Sequence, residues 1–363
     1  MAFGNIFKGR KILITGHCGF KGSWLSLWLN KLGAYVYGYS LKNTSEFTAY
    51  ESMGISDILA DEKIGDIRDA EDLELFFSDV KPEIVLHLAA QPLVRLSYKE
   101  PLSTYQTNVI GTLNVLEASR KNDSVKAFVN VTTDKCYENL ENGRAYKEDD
   151  AMGGYDMYSS SKGCSEILTS SYRNSFLKDE GFALASGRAG NVIGGGDWAE
   201  DRLIPDCIKA LSKGEEMPIR NPDSVRPWQH VLEPLAGYLS LARALLESPK
   251  DYSTGFNFGP DSSAILSVGD IVEILGQEWG DGKWHNKEEK SAPHEAKLLS
   301  LDIHKAEKML GVRPVLNANE AVSMTAKWYK SFYGKQTNMR DFSISQISEF
   351  TEKARSKNIK WSL

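Results

Sequence analysis

The chain has 363 residues, of which 41% are hydrophobic and 25% are charged, which is enough for the core of one large domain or of two closely packed ones. Its formal net charge of −6 argues against a general role in binding nucleic acid or a membrane surface. The four cysteines form no CxxC pair, and no stretch of about 18 apolar residues is present, so we expect a cytoplasmic protein with reduced thiols.

The first predicted elements are a strand, a glycine-rich turn and a helix. The run KILIT is apolar and strand-like, and after it Leu25, Trp28, Leu29 and Leu32 recur at helical spacing until Gly33 provides a stop. A second strand, YVYGYS, follows directly. This order predicts a first crossover unit of a parallel sheet.

The same alternation continues along the first half of the chain. Strand-like runs at EIVLHLAA, KAFVNVTT and FALASGRA alternate with helical stretches near 69–79, 103–121 and 157–177. The pattern predicts an α/β fold with a Rossmann-type doubly wound parallel sheet, whose ligands bind at the carboxyl ends of the strands.

The pattern changes near residue 190, where the segment NVIGGGDWAEDRLIP is rich in glycine and polar residues and is followed by helices and a short strand at GFNFGP. We predict a Rossmann domain over 1–190, to which segments of the later chain return. A smaller, mainly substrate-binding domain is expected over 191–335, and a polar tail with one helix and a loose end over 336–363.

Three glycines, Gly16, Gly19 and Gly22, stand at every third position between the first strand and the first helix. Such a turn brings main-chain amides and the helix dipole to a pyrophosphate, so it indicates a dinucleotide site; the alternative is a tight turn without a ligand. The segment YGYSLKN offers neither an acid for the adenine ribose nor an arginine for a 2′-phosphate. The choice between NAD and NADP is open on these residues, and we favour NAD.

Three charged or titratable residues flank this turn. Asp66, after the third strand, is placed to contact the adenine or simply to cap a helix. His17 and Lys21 are candidates for positive charge beside the phosphates, although His17 could equally be a turn residue that faces water.

Tyr158 and Lys162 in MYSSSKGCSE lie four residues apart and so share one helix face. A nearby lysine ammonium lowers the pKa of a tyrosine, which can then remove a hydroxyl proton. Thr133, Asp134 and Lys135 follow the strand before that helix and should project toward the same crevice; the alternative is a polar loop with a capping aspartate.

These residues carry a resemblance to a known family. The chain is similar to the extended short-chain dehydrogenases/reductases and, within them, to the CDP-glucose 4,6-dehydratases. The matching segments are TGHCGFKGSWLSLWL, HLAAQPLVRLSY, TTDKCYEN, YSSSK, RAGNVIGGGDW, RPWQHVLEP and HEAKLLSLD, which span about residues 10–330. Lys135 is the most discriminating position, because the related dTDP-glucose dehydratases usually have glutamate there.

The resemblance implies an NAD-dependent carbon–oxygen lyase that converts CDP-D-glucose to CDP-4-keto-6-deoxy-D-glucose and water. Oxidation at C4 precedes elimination across C5 and C6, and hydride then returns to C6. Tyr158 would take the 4-hydroxyl proton while Thr133 hydrogen-bonds at O4. Lys135 would remove the C5 proton as Asp134 protonates the departing 6-hydroxyl.

These roles make demands on pKa values. Lys135 needs a lowered pKa to act as a base, and Asp134 needs a raised pKa to act as an acid. A simple ion pair between them would reverse both shifts and impair this chemistry.

The resemblance also implies binding residues. The predicted cofactor contacts are Gly16, His17, Gly19, Phe20, Lys21, Asp66, Ile67, Leu88, Ala89, Ala90, Asn108, Tyr158 and Lys162. The predicted substrate contacts are Gln91, Arg95, Asn191, Gly196, Asp197, Trp198, Arg202 and Arg226, with Arg226 pairing to the diphosphate. No metal is expected. A homodimer or homotetramer is expected through the helices around 103–121 and 157–177.

Other functions remain open on the sequence. A dehydratase for dTDP-, UDP- or GDP-hexoses or a nucleotide-sugar 4-epimerase would share the fold and the tyrosine–lysine pair, and the nucleobase rests on the resemblance alone. A catalytically silent NAD-binding scaffold would have lost Thr133, Tyr158 or Lys162, all of which are present.

Overall fold

The computed structural model describes residues 2–177, 181–261, 265–280, 282–287, 299–335 and 337–363. Within these ranges, seven parallel strands form the main sheet, in the order β12-β7-β5-β4-β1-β2-β3. The strands are β1 (Lys11–Thr15), β2 (Tyr35–Ser40), β3 (Asp61–Ile64), β4 (Ile84–His87), β5 (Ala127–Thr133), β7 (Ala183–Ala189) and β12 (Gly255–Phe258). The predicted α/β Rossmann-type sheet is confirmed.

The central strands are apolar because helices cover both faces of the sheet. Every residue of β4, β5 and β7 is buried, whereas the edge strand β3 has no buried residue. In the first half of the chain the helices are α1 (Phe20–Lys31), α2 (Ala49–Ser52), α3 (Ala70–Val80), α4 (Val94–Lys99), α5 (Pro101–Tyr105), α6 (Thr112–Arg120) and α7 (Met157–Phe176). A π-helical segment, Gln106–Gly111, joins α5 to α6.

The rest of the chain builds the opposite wall of a cleft above the carboxyl ends of the strands and also adds to the sheet. Its helices are α8 (Leu203–Ser212), α9 (Leu232–Glu247), α10 (Pro249–Tyr252), α11 (Val268–Trp279), α12 (His304–Leu310), α13 (Ala318–Gly334) and α14 (Met339–Ser356). The short strands are β6 (Ala145–Tyr146), β8 (Val192–Ile193), β9 (Met217–Ile219), β10 (Val225–Pro227), β11 (Gln229–His230), β13 (Ile265–Ser267), β14 (Trp284–Asn286) and β15 (Ser300–Leu301). They pair as β6/β15, β8/β11, β9/β14 and β10/β13.

The expected return of the later chain to the Rossmann half is observed, because β12 pairs with β7 along Ser186–Ala189. The expected loose end of the tail is wrong. Phe350 and Trp361 stack at 5.7 Å between ring centroids, and Trp361 also stacks on Phe3 at 5.1 Å. These contacts bury the tail against the first helix and the N-terminal segment, since aromatic burial is strongly favourable.

None of the helices that the structure describes is both long enough and apolar enough to cross a membrane. The stretch HEAKLLSLD lies partly outside the described residues. His294, its first residue, is among those that the structure does not describe.

Candidate active site

The glycine turn after β1 has the close packing that the motif predicts. Gly16 has φ +79°, and a Cβ there would lie 2.8 Å from the main-chain nitrogen of Ala89. A Cβ on Gly22 would lie 2.1 Å from the Gly16 carbonyl oxygen. Gly19 is the N-cap of α1 and provides no side-chain cap, so the first amides of the helix are open to an anionic ligand. This cradle fits a dinucleotide pyrophosphate.

The turn forms one end of a cleft of about 1520 Å³ that runs from β1 to α8 and β9. The predicted cofactor residues that line it are Gly16, Gly19, Phe20, Lys21, Asp66, Ile67, Leu88, Ala89, Ala90, Tyr158 and Lys162. Sequence reasoning missed four further lining residues at the end of β2 and just after it, namely Ser40, Leu41, Lys42 and Asn43. They could have been found from their position at the carboxyl end of the second strand. The usual dinucleotide motif directs attention there only to an acidic residue that binds the ribose.

Asp66 lies on the cleft wall but does not cap the helix that follows. Its carboxylate accepts hydrogen bonds from the main-chain and side-chain nitrogens of Arg68 at 2.9 and 3.0 Å, and this pair lowers the Asp66 pKa. The cap of α3 is Asp69, whose side chain accepts from the Asp72 amide. The capping alternative for Asp66 is therefore wrong, and the adenine contact stays a prediction.

His17 corrects both expectations for its side chain. The ring is fully buried, is absent from the cleft wall, and lies with Nε2 2.6 Å from the Glu62 carboxylate. Burial lowers the His17 pKa, with Glu62 opposing that shift. The imidazole therefore does not face water, and it contacts Glu62 instead of lining the cleft. The Cys18 thiol lies beside this pair, and potential ligand atoms of His17, Cys18 and Glu62 fall within 4.8 Å of one another.

Lys21 faces the reacting end of the cleft. Burial, together with the charges of Arg202 and Lys162, lowers its pKa to about 8, against the opposing influence of Asp134 and Asp197. Three cations thus converge where β5, α1 and α8 meet, with two carboxylates that balance them.

The end of β5 brings the predicted acid into this site. Thr133 Oγ1 donates a hydrogen bond of 2.9 Å to Asp134 Oδ1, and Asp134 is only 3% exposed. A Cβ on Gly190 would lie 2.9 Å from Asp134 Oδ2, so the glycine after β7 makes room for the carboxyl group. Tyr158 lines the same cleft, and Thr133 and Asp134 both influence the pKa of its phenol. All three side chains line the same cleft, and their roles in catalysis stay predictions.

Lys135 lies in the 3₁₀ turn Asp134–Cys136 and lines the same cleft. Its main-chain nitrogen donates to Thr133 Oγ1 at 3.4 Å. Within the described chain, Lys135 and Asp134 make no ion pair, so the arrangement that would impair the proposed chemistry does not occur. Their roles as base and acid stay predictions.

The expectation that Lys162 lowers the pKa of Tyr158 is wrong for this structure. Burial raises the pKa of Tyr158 to about 12, because the phenolate is poorly solvated there. Burial also lowers the pKa of Lys162 to about 8. The Lys162 ammonium donates a hydrogen bond of 3.2 Å to the Val131 carbonyl oxygen, so one of its donors is used by the main chain.

A buried ion pair behind Lys162 escaped sequence analysis. Glu166 follows Lys162 by one helical turn, accepts from Arg188 at 2.7 Å and is bonded to Thr132 and Ser186. Although burial opposes its ionisation, the Arg188 contact lowers the Glu166 pKa. The resulting carboxylate favours the charged form of Lys162. The spacing of residues along a helix does not distinguish a buried, paired glutamate from one that faces solvent.

Asn108 and Gln91 lie behind the cleft rather than in it. Asn108 Oδ1 accepts a hydrogen bond from the main-chain nitrogen of Gln91 at 2.8 Å, and Asn108 Nδ2 donates to Ser161 Oγ at 2.9 Å. The Gln91 side chain bonds to the Leu93 amide and to Thr104. Both side-chain amides are occupied in joining the π segment, the turn after β4 and α7. The predictions that they contact cofactor and substrate directly are therefore wrong.

Five of the predicted substrate residues line the cleft. Asn191, Asp197, Arg202 and Arg226 belong to its opposite wall, and Arg95 lies on α4 of the Rossmann half. Arg202 donates to Asp197 at 2.9 Å, and Arg95 lies 3.5 Å from Asp201. The three guanidinium groups give the cleft the positive charge that a diphosphate requires.

Gly196 and Trp198 have structural positions instead of substrate contacts. A Cβ on Gly196 would lie 2.7 Å from Ala49 Cβ, and Gly196 has φ +89°. Trp198 is 6% exposed and packs 5.7 Å from Trp328 and 4.9 Å from Phe332. Both predictions are wrong, because this loop anchors the wall by packing on α2 and α13.

Other aromatic and histidine residues behave as packing groups. Trp279 makes an edge contact with Tyr333, and Trp284 and Tyr252 pack against the core, as expected. His230 is buried against Trp24, and His304 pairs with Asp302 at 2.7 Å.

The comparisons decide the family. The family model for GDP-mannose 4,6 dehydratase matches residues 13–325 of this chain. This chain belongs to the GDP-mannose 4,6 dehydratase family. A curated relative, CDP-glucose 4,6-dehydratase of Salmonella typhimurium, is 47% identical over 351 residues, which cover 95% of this chain and 97% of the relative. A dTDP-glucose 4,6-dehydratase of the same organism is 25% identical over 350 residues, covering 88% and 92%.

Solved structures of this GDP-mannose 4,6 dehydratase-like fold support the architecture. The dTDP-glucose 4,6-dehydratase of Streptomyces venezuelae, solved with NAD bound, has a TM-score of 0.75 and 23% identity, covering 91% of this chain and 99% of that one. UDP-glucose 4-epimerase of Thermotoga maritima has a TM-score of 0.76 and 24% identity, covering 89% and 99%. Dehydratases and epimerases therefore share this fold.

Proposed function

We propose that this protein is an NAD-dependent CDP-glucose 4,6-dehydratase, a hydro-lyase that forms CDP-4-keto-6-deoxy-D-glucose and water. The observation that carries the proposal is the hydrogen-bonded pair of Thr133 and Asp134, with Tyr158 and Lys135 lining the same cleft. An acid and a base on one turn suit elimination, whereas a 4-epimerase needs neither at C5 and C6. The CDP group is supported by the 47% identity to the Salmonella enzyme.

NAD is the cofactor that this chain fits. Gly16, Gly19 and Gly22 would hold its pyrophosphate against the start of α1, and Ser40 with Lys42 would lie near the adenosine. When bound, NAD supplies a reversible hydride acceptor, so the overall reaction is redox-neutral.

The side chains of the site would move the protons. Tyr158 accepts the proton of the 4-hydroxyl group, and Thr133 holds O4 by hydrogen bonding. Lys135 removes the C5 proton, which a 4-keto group makes acidic, while Asp134 protonates the departing 6-hydroxyl group as water. Lys162 keeps a positive charge one helical turn from Tyr158, supported by Glu166.

The test is incubation of the purified protein with CDP-glucose that carries deuterium at C4. The label should appear at C6 of a 4-keto-6-deoxy product, which is followed by its absorbance in alkali. Parallel incubations with dTDP-, UDP- and GDP-glucose measure the preference for the base. Loss of the label to solvent, a faster reaction with another nucleotide, or formation of the C4 epimer would contradict the proposal.

We also propose that the enzyme works in the cytoplasm as a homodimer or homotetramer. Its four cysteines are free thiols, which suits a reducing compartment. Leu102, Ile110 and Ile167 are 71%, 50% and 56% exposed on and beside the helices predicted to pair. Ile110→Glu combined with Ile167→Glu should shift the mass measured by light scattering to that of a monomer; an unchanged mass would place the interface elsewhere.

A further inference from the structure

Helix α8 presents two charged residues to the cleft. The Asp206 amide donates to the Arg202 carbonyl at 3.0 Å, so both residues stand on the same side of the helix, and both line the cleft. Arg202 lies near enough to the reacting groups for its charge to lower the pKa values of Tyr158 and Lys21. Asp206 is one turn, about 5.4 Å, farther along the helix and away from them.

Asp206 differs from Asp197 and Asp201 on this wall in having no partner among the described residues, and from the exposed Glu200 and Asp223 in being half-buried. It is half-buried, and within the described ranges its side chain makes no hydrogen bond and no ion pair. Asp197 is bound to Arg202, and Asp201 is bound to Arg220 at 2.9 Å. Burial raises the Asp206 pKa, against the opposing charges of Lys209, Arg220 and Lys287. A half-buried, unpaired acceptor in a ligand cleft lacks a donor.

The surroundings of Asp206 suit a flat base. Leu203 on α8 and Pro218 on β9 line the same cleft and offer apolar surface, and α8 packs directly against β9. Arg220, just after β9, acts on the Asp206 carboxyl group through its charge and is itself a cleft residue. The far end of the cleft therefore combines apolar walls, a cation and a free acceptor.

Among pyrimidines, only cytosine presents an amino donor at position 4. Uracil and thymine present a carbonyl oxygen there, which a carboxylate would repel. We propose that Asp206 selects the cytidine nucleotide by accepting a hydrogen bond from the 4-amino group of cytosine. This inference rests on the proposed function, because it assigns the base-reading residue of the same cleft.

The experiment compares wild type with Asp206→Asn and Asp206→Ala. Steady-state kinetics with CDP-glucose and UDP-glucose are combined with calorimetric binding of CDP and UDP to the holoenzyme. Asp206→Asn should lower kcat/KM for CDP-glucose by about 10- to 100-fold, mainly through KM. The ratio of CDP to UDP affinity should fall with it, since an amide can donate to the uracil carbonyl. Asp206→Ala should lose CDP affinity without gaining UDP affinity.

The matched control is Asp223→Asn, which neutralises an exposed acid on the same cleft and should leave both ratios unchanged. An unaltered CDP to UDP ratio in a folded Asp206→Asn or Asp206→Ala protein would overturn the inference, as would wild type that binds CDP no better than UDP. The binding arm separates the two proposals. Preferential CDP binding that Asp206→Asn abolishes, without turnover of CDP-glucose, would reject the dehydratase and keep Asp206 as the base reader.

Discussion

The Thr133 hydroxyl donates its proton to Asp134 Oδ1 at a distance of 2.9 Å, while its oxygen accepts from the Lys135 amide at 3.4 Å. One threonine thereby contacts the Asp134 side chain and the main chain of Lys135, the two residues to which we assign the elimination. Because Asp134 is 3% exposed and packs against Gly190, it has little freedom to reach solvent.

Separate substitutions should distinguish the acid from the base. In Asp134→Asn the amide oxygen still accepts from Thr133 but no acid is available, so product formation should fall at least about 100-fold while C5–H exchange with deuterated water continues. Lys135→Ala should still bind NAD yet lose both exchange and product. Mass spectrometry measures exchange, and alkali absorbance measures product. Near-normal turnover in Lys135→Ala would reject it as the base.

Removal of the Lys162 charge should change the pH dependence of catalysis. Burial holds the Tyr158 pKa near 12 even with Lys162 present. We expect the Lys162 charge to stabilise the phenolate that forms during the reaction, so Lys162→Met should lower kcat at pH 7 by about 100-fold or more. The residual activity should rise with pH more steeply than that of the wild type, because the phenolate has lost that charge. Lys162→Arg keeps the charge and serves as the control. A flat profile in Lys162→Met would contradict this role.

The glycine turn should tolerate no side chain at Gly22. A Cβ there would lie 2.1 Å from the Gly16 carbonyl, so Gly22→Ala should displace the turn and weaken NAD binding, measured by calorimetry, about tenfold or more. Gly334→Ala is the matched control, since a Cβ at Gly334 would have no neighbouring atom within 4 Å and the backbone there is helical. Equal NAD affinity in the two variants would refute this account of the turn.

Glu233 should make the stability depend on pH. Its carboxylate accepts from the Val315 and Leu316 amides, yet burial raises its pKa from 4.5 to about 7. Between these values the folded state holds a proton that the unfolded state has released, so this group lowers the free energy of unfolding as pH rises. Relative to wild type, Glu233→Gln should therefore gain up to about 3 kcal/mol between pH 5 and pH 8. Urea denaturation measures it, and parallel pH profiles would count against the assignment.

The repeating strand–helix pattern was sufficient to predict the sheet, because the buried strands carry continuous apolar runs and the helices carry a 3.6-residue period. It also predicted that Thr133, Asp134, Tyr158 and Lys162 would meet, since these residues follow or face the carboxyl ends of neighbouring strands. Local spacing was therefore sufficient to place these residues on one cleft.

Side-chain direction was harder to predict. Asn108 and Gln91 are close in sequence to residues that line the cleft, but hydrogen bonds hold both side-chain amides away from it. His17 follows Gly16 in the turn, yet its ring is buried with Glu62, a residue 45 positions away. Asp206 gave no signal, because an acid within a helical pattern usually faces solvent. Each of these outcomes depends on contacts between distant segments, which a sequence period does not encode.

The late arrival of β12 has a consequence for how the chain acquires its shape during synthesis. Until Gly255–Phe258 leaves the ribosome, β7 is an unprotected edge whose main-chain groups can join another nascent chain. A fragment that stops at residue 190 would keep that edge permanently and should be prone to aggregation. The sheet and the cleft above it thus mature together rather than one after the other.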